Sequence, residues 1–153
     1  MRRPIPFVLL LLTGACLATP PRPPEPITLS SSLSAHEAVE RATVALASEG
    51  FKVIQTDSLA HAIAAARTSL ANGNEEYVAC ELPRNSGGAA NRETTVRISV
   101  SARPAAGGSE VLIRSTVLTS YPGFDGTPSA IAANEIDCVS KGVMEQRLAR
   151  ALR

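Results

Sequence analysis

The sequence predicts an α+β domain, a two-layer sandwich in which a roughly five-stranded antiparallel sheet carries an N-terminal and a C-terminal helix on one face. Three observations predict it. A helix start with its cap is written at Ser34-Ala35-His36-Glu37; residues 95–102 alternate apolar and polar without a break; and the stretch running to Arg153 returns to helical spacing. With 153 residues, 44% of them apolar and 19% charged, the chain belongs to the globular class and has room for one domain. The order along the chain is a leader at 1–15, a tether at 16–29 and the domain at 30–153.

Ser34 and Glu37 stand at capping-box spacing, each satisfying an amide the helix leaves orphaned. Ala35, Ala38, Val39, Ala42, Ala45 and Leu46 then share one helical face, and Gly50 supplies the stop. Phe51 to Gln55 alternate as a strand. Ser58 to Leu70 are ambiguous by residue type, since Leu59, Ala62, Ile63, Ala66 and Leu70 also fit a helix. The string GFKVIQTD…HAIAAAR resembles the pattern GFxVxxxDxxxGxIxAxR of small bacterial lipoprotein domains, with His61 and Ala62 near the place of the usual Gly. That resemblance implies a hairpin, and the hairpin is the expectation.

Tyr77 to Leu82 read as a strand with Val78, Cys80 and Leu82 on its apolar side, and Arg84 to Asn91 as a loop. Val96, Ile98, Val100 and Ala102 face a core; Thr95, Arg97, Ser99 and Ser101 face water. Pro104 to Ser109 turn the chain, and Val111, Ile113 and Val117 return it antiparallel. A loop follows from Tyr121 to Pro128. The last helix is expected from near Asp137 or Ser140 to the end, with Val143, Met144, Leu148, Ala151 and Leu152 inward and Arg147, Arg150 and Arg153 suiting its dipole.

The leader has a positive start at Arg2 and Arg3 and an apolar run from Phe7 to Leu12. The run is far short of the ~20 residues a spanning helix needs, so it reads as an export signal. Thr13-Gly14-Ala15-Cys16 resembles the lipobox of bacterial lipoproteins, departing from it at Thr13, where Leu is usual. The resemblance implies cleavage before Cys16 and acylation of that cysteine, hence a membrane anchor. Cleavage after Ala15 or Ala18, giving a soluble periplasmic or secreted protein, is the alternative. Leu17, which is not Asp, implies sorting to the outer membrane where such sorting operates. Pro20, Pro21, Pro23, Pro24 and Pro26 then make an extended spacer, at about 3.1 Å per residue a reach of about 35 Å.

Few residues offer chemistry. Cys80 and Cys138 are the cysteines that remain in the mature body, and in an oxidising compartment such a pair forms a disulfide, expected here to pin the last helix to the sheet; two buried free thiols or a reactive pair are the alternatives. Without a CxxC spacing, neither redox catalysis nor a zinc site is expected. His36 and His61 read as solvated, and Glu75-Glu76 as a solvated pair beside a loop. No G-x-S-x-G elbow, GxGxxG or P-loop occurs, so no catalytic, cofactor or metal residue is assigned. Tyr121, Phe124 and Asp125, in Tyr-Pro-Gly-Phe-Asp-Gly, form either a recognition lip or a self-packed turn.

A net charge of +1, no basic block and 3% aromatic residues give no sign of attraction to nucleic acid or to anionic lipid. The expected function is that of a non-catalytic envelope lipoprotein, held to the membrane by its lipid, whose domain binds another envelope component or is structural. A small secreted or envelope hydrolase is the alternative, and a soluble secreted inhibitor or effector a third.

Overall fold

The computed structural model describes residues 24–70, 73–80, 93–120 and 138–153. The elements are β1 (Ile27–Ser31), α1 (Ala35–Ser48), β2 (Lys52–Asp57), β3 (Ala62–Leu70), β4 (Val78–Cys80), β5 (Glu93–Ala105), β6 (Gly108–Ser120), β7 (Cys138–Ser140) and α2 (Val143–Ala151). Five strands form an antiparallel sheet in the order β1-β6-β5-β3-β2, and β4 and β7 form a separate two-stranded ribbon. Both helices pack on one face of the sheet and against each other. This is the two-layer α+β arrangement the sequence predicts.

α1 starts where its cap is written. The Ser34 hydroxyl accepts from the Glu37 amide, and the Glu37 carboxylate accepts from the Ser34 amide at 2.9 Å. Those bonds from Ser34 hold the Glu37 carboxyl below its ordinary pKa. Ala35, Ala38, Ala42 and Leu46 are buried along one stripe. The three alanines let the helix backbone approach the sheet, and Leu46 fills the space at the helix end, a burial worth about 2 kcal/mol. Ile63, Ala65, Val96, Ile98, Val100, Val111 and Ile113 of the sheet share one core cluster with this stripe and with Met144, Leu148 and the α2 C-cap Leu152.

The hairpin at residues 52–70 is present. β2 pairs with β3, and a register shift between Val53 and Gln55 marks a bulge at the sheet edge. Asp57 accepts from the amides of Leu59 and Ala60, and His61 closes the turn at φ 46°. The left-handed conformation explains the resemblance to a pattern with Gly at this place: the turn demands a positive φ, and His is one of the few other residues to adopt it.

Four details differ from the sequence expectations. The fold begins at Ile27, inside the stretch assigned to the tether: Ile27 and Leu29 face inward and pair with Ile113 and Val111, an alternation the preceding prolines disguise. β4 leaves the main sheet and pairs with β7 instead. Residues 138–140 are therefore strand, and α2 starts only after Gly142, whose φ of 74° turns the chain into the helix. The β5–β6 connection is tighter than the expected six-residue turn, because Pro104 and Ala105 still pair with Ser109 and Gly108. Gly108 is required there, since a Cβ would lie 2.0 Å from the Ser31 carbonyl oxygen.

Candidate functional site

Three polar arrangements stand out, and each is built differently. The first surrounds Tyr77, which is 2% exposed at the entrance to β4. Asn74 shapes the turn before it, accepting from the Tyr77 and Val78 amides while its side-chain amide donates to the Thr94 carbonyl at 2.7 Å. The Tyr77 ring meets Phe51 edge-on at 5.7 Å, and the guanidinium of Arg67 lies 5.1 Å from its centroid. Its hydroxyl donates to Glu49 Oε2 at 2.8 Å, and Arg147 donates to the same oxygen at 2.6 Å. The other arm of Arg147 pairs with Glu76, and Arg67 donates to the Glu49 carbonyl.

Burial first, and then the bond to Glu49, push the Tyr77 phenol above its ordinary pKa. A phenol held neutral and a carboxylate held between a phenol and a guanidinium are a clamp, not a nucleophile with its base. The clamp ties the 73–80 segment to the end of α1 and to α2. Glu76 is thus an ion-pair partner of α2, where the sequence read a solvated carboxylate, and Arg147 serves this pair before it serves the helix dipole.

The second arrangement is the corner at β7. Cys80 and Cys138 face each other in the ribbon and are joined by a disulfide. The bond closes the ribbon just ahead of α2 and leaves the five-stranded sheet uncrosslinked. Two residues on, the Ser140 hydroxyl donates to Glu145 Oε1 at 2.8 Å and accepts from the Gly142 amide. Ser115 of β6 donates to the same Glu145 oxygen. Glu145 is 2% exposed and its second oxygen has no hydrogen-bond partner. Sequence reasoning missed it, although Glu145, Leu148 and Leu152 fall on one helical stripe and so place a carboxylate on the buried face.

The third is the face of the sheet away from the helices. Cross-strand register puts Lys52, Ala66, Arg97 and Thr116 in one row and Ala64, Ser99 and Arg114 in the next. Arg103 and Glu110 pair at the rim at 2.9 Å, which holds the Glu110 carboxyl below its ordinary value. Leu118, 53% exposed, continues the β6 side of this face.

Cys16, Tyr121, Phe124 and Asp125 lie outside the described residues. His36 pairs with Glu40 on the surface of α1 and stands 6.4 Å from the ring of His61. Among the described residues no group of three or more His, Cys, Asp and Glu is arranged to hold a metal ion, and no helix is long and apolar enough to cross a membrane.

No protein-family model matches the chain, and no curated protein matches it. Among solved structures it is similar to a DUF4468 family protein from Bacteroides ovatus, at 8% identity over 83% of this chain and 78% of that one, with a TM-score of 0.36. A superposition that loose carries no inference about function.

Proposed function

We propose that this chain is an exported envelope protein, lipid-anchored at Cys16, whose domain is a non-catalytic binding module that presents the outer face of its sheet to another envelope component. The observation that carries the reading is the open sheet face itself. Both helices cover the other face, and this one stays bare of any described element while displaying Lys52, Arg97, Arg114 and Leu118. The disulfide supports the compartment, because such bonds persist where the surroundings oxidise. The Pro-rich segment ahead of Ile27 supports the anchor, since a semi-rigid spacer gives a tethered domain reach.

Two measurements test it. Intact mass of the membrane fraction, with and without reductant, is expected to give a start at Cys16 with acyl mass and a two-proton gain on reduction; an unlipidated soluble chain removes the anchor. A photocrosslinking residue at Ser99 is expected to capture an envelope component in cells, whereas one at Val44, exposed on α1, is expected to capture little. Equal capture from both positions, or none from Ser99, overturns the binding role of the sheet.

A further inference from the structure

The cations of the sheet divide sharply by partner. Arg67 donates to the Glu49 carbonyl and covers Tyr77, and Arg103 pairs with Glu110. Lys52, Arg97 and Arg114 have no anionic partner among the described residues, and register puts all three on the outer face. Arg97 lies opposite Thr116, so Arg114 and Leu118 are its two diagonal neighbours on β6. Diagonal side chains of this kind stand about 7–8 Å apart. The acidic groups of the face are engaged or peripheral: Glu110 with Arg103, Asp57 with the turn amides, Glu93 on the last rung opposite Ser120.

The floor between the cations is low. Ala64, Ala66, Ser99 and Thr116 raise nothing above the guanidinium groups, and among the described residues the face carries no aromatic side chain. A protein interface draws its affinity from a central buried anchor, most often Trp, Tyr or Arg in a pocket; here the hollows of the face lie toward its ends, one lined by Thr28, Ser101, Arg103 and Leu112 and one by Lys52, Ile54 and Thr68, and neither holds an aromatic side chain. Bare guanidinium forks beside one exposed leucine suit a layer of phosphates over hydrocarbon instead. The tether agrees with that geometry. Ile27 pairs with Ile113, so the chain enters the fold beside the Arg114 rung, and the Pro-rich sequence from Cys16 to Ile27 is long enough for a reach of about 34 Å at 3.1 Å per residue.

We infer that the outer face is a membrane-facing surface for anionic phospholipid headgroups, with Arg97 and Arg114 receiving phosphates, Lys52 adding charge and Leu118 entering between headgroups. This rests on the reading of that face as the binding surface, and it names the component bound.

The test uses the mature chain with Cys16→Ser, so that the body binds without its acyl chains. Its partitioning onto vesicles of phosphatidylcholine is compared with vesicles containing phosphatidylglycerol, at low and high salt. Each cation near an anionic surface is worth about a fivefold gain in partitioning, so the wild-type face is expected to prefer anionic vesicles by about 100-fold at low salt. Arg97→Gln with Arg114→Gln is expected to lower that preference about 25-fold, high salt to abolish it, and Leu118→Ser to weaken binding to both vesicles. Arg41→Gln, on the exposed side of α1, is expected to change nothing, and thermal melts confirm that each variant is folded. Equal partitioning onto both vesicles overturns the inference, as does retention of the preference by the double Arg variant. Capture of a protein from Ser99 without any lipid preference also overturns it while leaving the binding module in place. Absence of acyl mass on Cys16 removes the anchor and leaves the vesicle result standing.

Discussion

Removing the Cys80–Cys138 bond is expected to cost the domain about 4 kcal/mol, a figure set by loop length. The bond joins residues 58 apart, and the chain-entropy relation for a loop of that size gives about 4 kcal/mol at 25 °C. For a domain of this size the loss corresponds to a fall in Tm of about 15 °C. Cys80→Ala with Cys138→Ala keeps the packing change small, since both side chains are only partly buried. Urea unfolding of the oxidised wild type and of the double variant reads the loss, and it also reads the slope. An uncrosslinked unfolded chain expands further, so the variant is expected to unfold with the larger m-value. A local signature accompanies the global one. A three-residue ladder is marginal by itself, so amides at Ala79 and Val139 are expected to exchange faster in the variant, whereas those of β5 and β6 follow global stability. A loss below about 1 kcal/mol with an unchanged slope refutes the reasoning, because it means that residues 81–137 restrain the unfolded chain without the bond.

Two further outcomes follow from single side chains. Tyr77 has a raised pKa in the fold, so its contribution is complete below the unfolded value of about 10 and is lost as pH rises through the higher folded value. Stability is expected to decline in that alkaline window, and Tyr77→Phe to remove that part of the decline while costing about 1 kcal/mol at neutral pH through the lost bond to Glu49; pH-dependent urea midpoints check both. At His61, with φ 46°, Gly is expected to match or exceed the wild-type stability and Val to lower it by about 1–2 kcal/mol, an order that thermal melts read directly.

Legibility in the sequence tracks contrast between neighbouring residues. α1 was plain because its cap is a polar pair at fixed spacing and its stripe is apolar against Glu37, Glu40 and Arg41. β5 was plain because Thr, Arg and Ser alternate with Val and Ile. β3 was obscure because Ala62, Ala64 and Ala66 on the outer face and Ala65 on the inner face are the same residue, so period two and period 3.6 fit equally well. There the hairpin rested on resemblance, and the left-handed His61 is its physical basis. β1 and β7 failed for other reasons: prolines masked the first, and the second is a three-residue strand that pairs only with its disulfide partner strand. The Tyr77 clamp draws on α1, β3, the 73–77 turn and α2, and nothing local in the sequence brings Glu49 to Arg147 across 98 positions.

The outer face shows what sequence parity can and cannot carry. Alternation alone places Arg97 and Arg114 away from the core, because Arg97 sits between inward-facing Val96 and Ile98 and Arg114 follows inward-facing Ile113. Whether they meet depends on register, and register depends on the turn between β5 and β6. Read as a six-residue loop from Pro104 to Ser109, the connection leaves the pairing of the two strands open. With Pro104 opposite Ser109 and Gly107 at φ 81°, the turn shrinks to Ala106 and Gly107, and every rung behind it is fixed. Ser99 then faces Arg114, Thr116 faces Arg97, and the two guanidinium groups become diagonal neighbours. A one-residue slip would carry Arg114 to the helix side and empty the face of half its charge pair, so the glycines of a tight turn control the electrostatics of a surface nine residues away along β5. Gly108 makes that control firm, since its contact with the Ser31 carbonyl excludes any side chain and locks the turn against β1, the strand through which the tether enters.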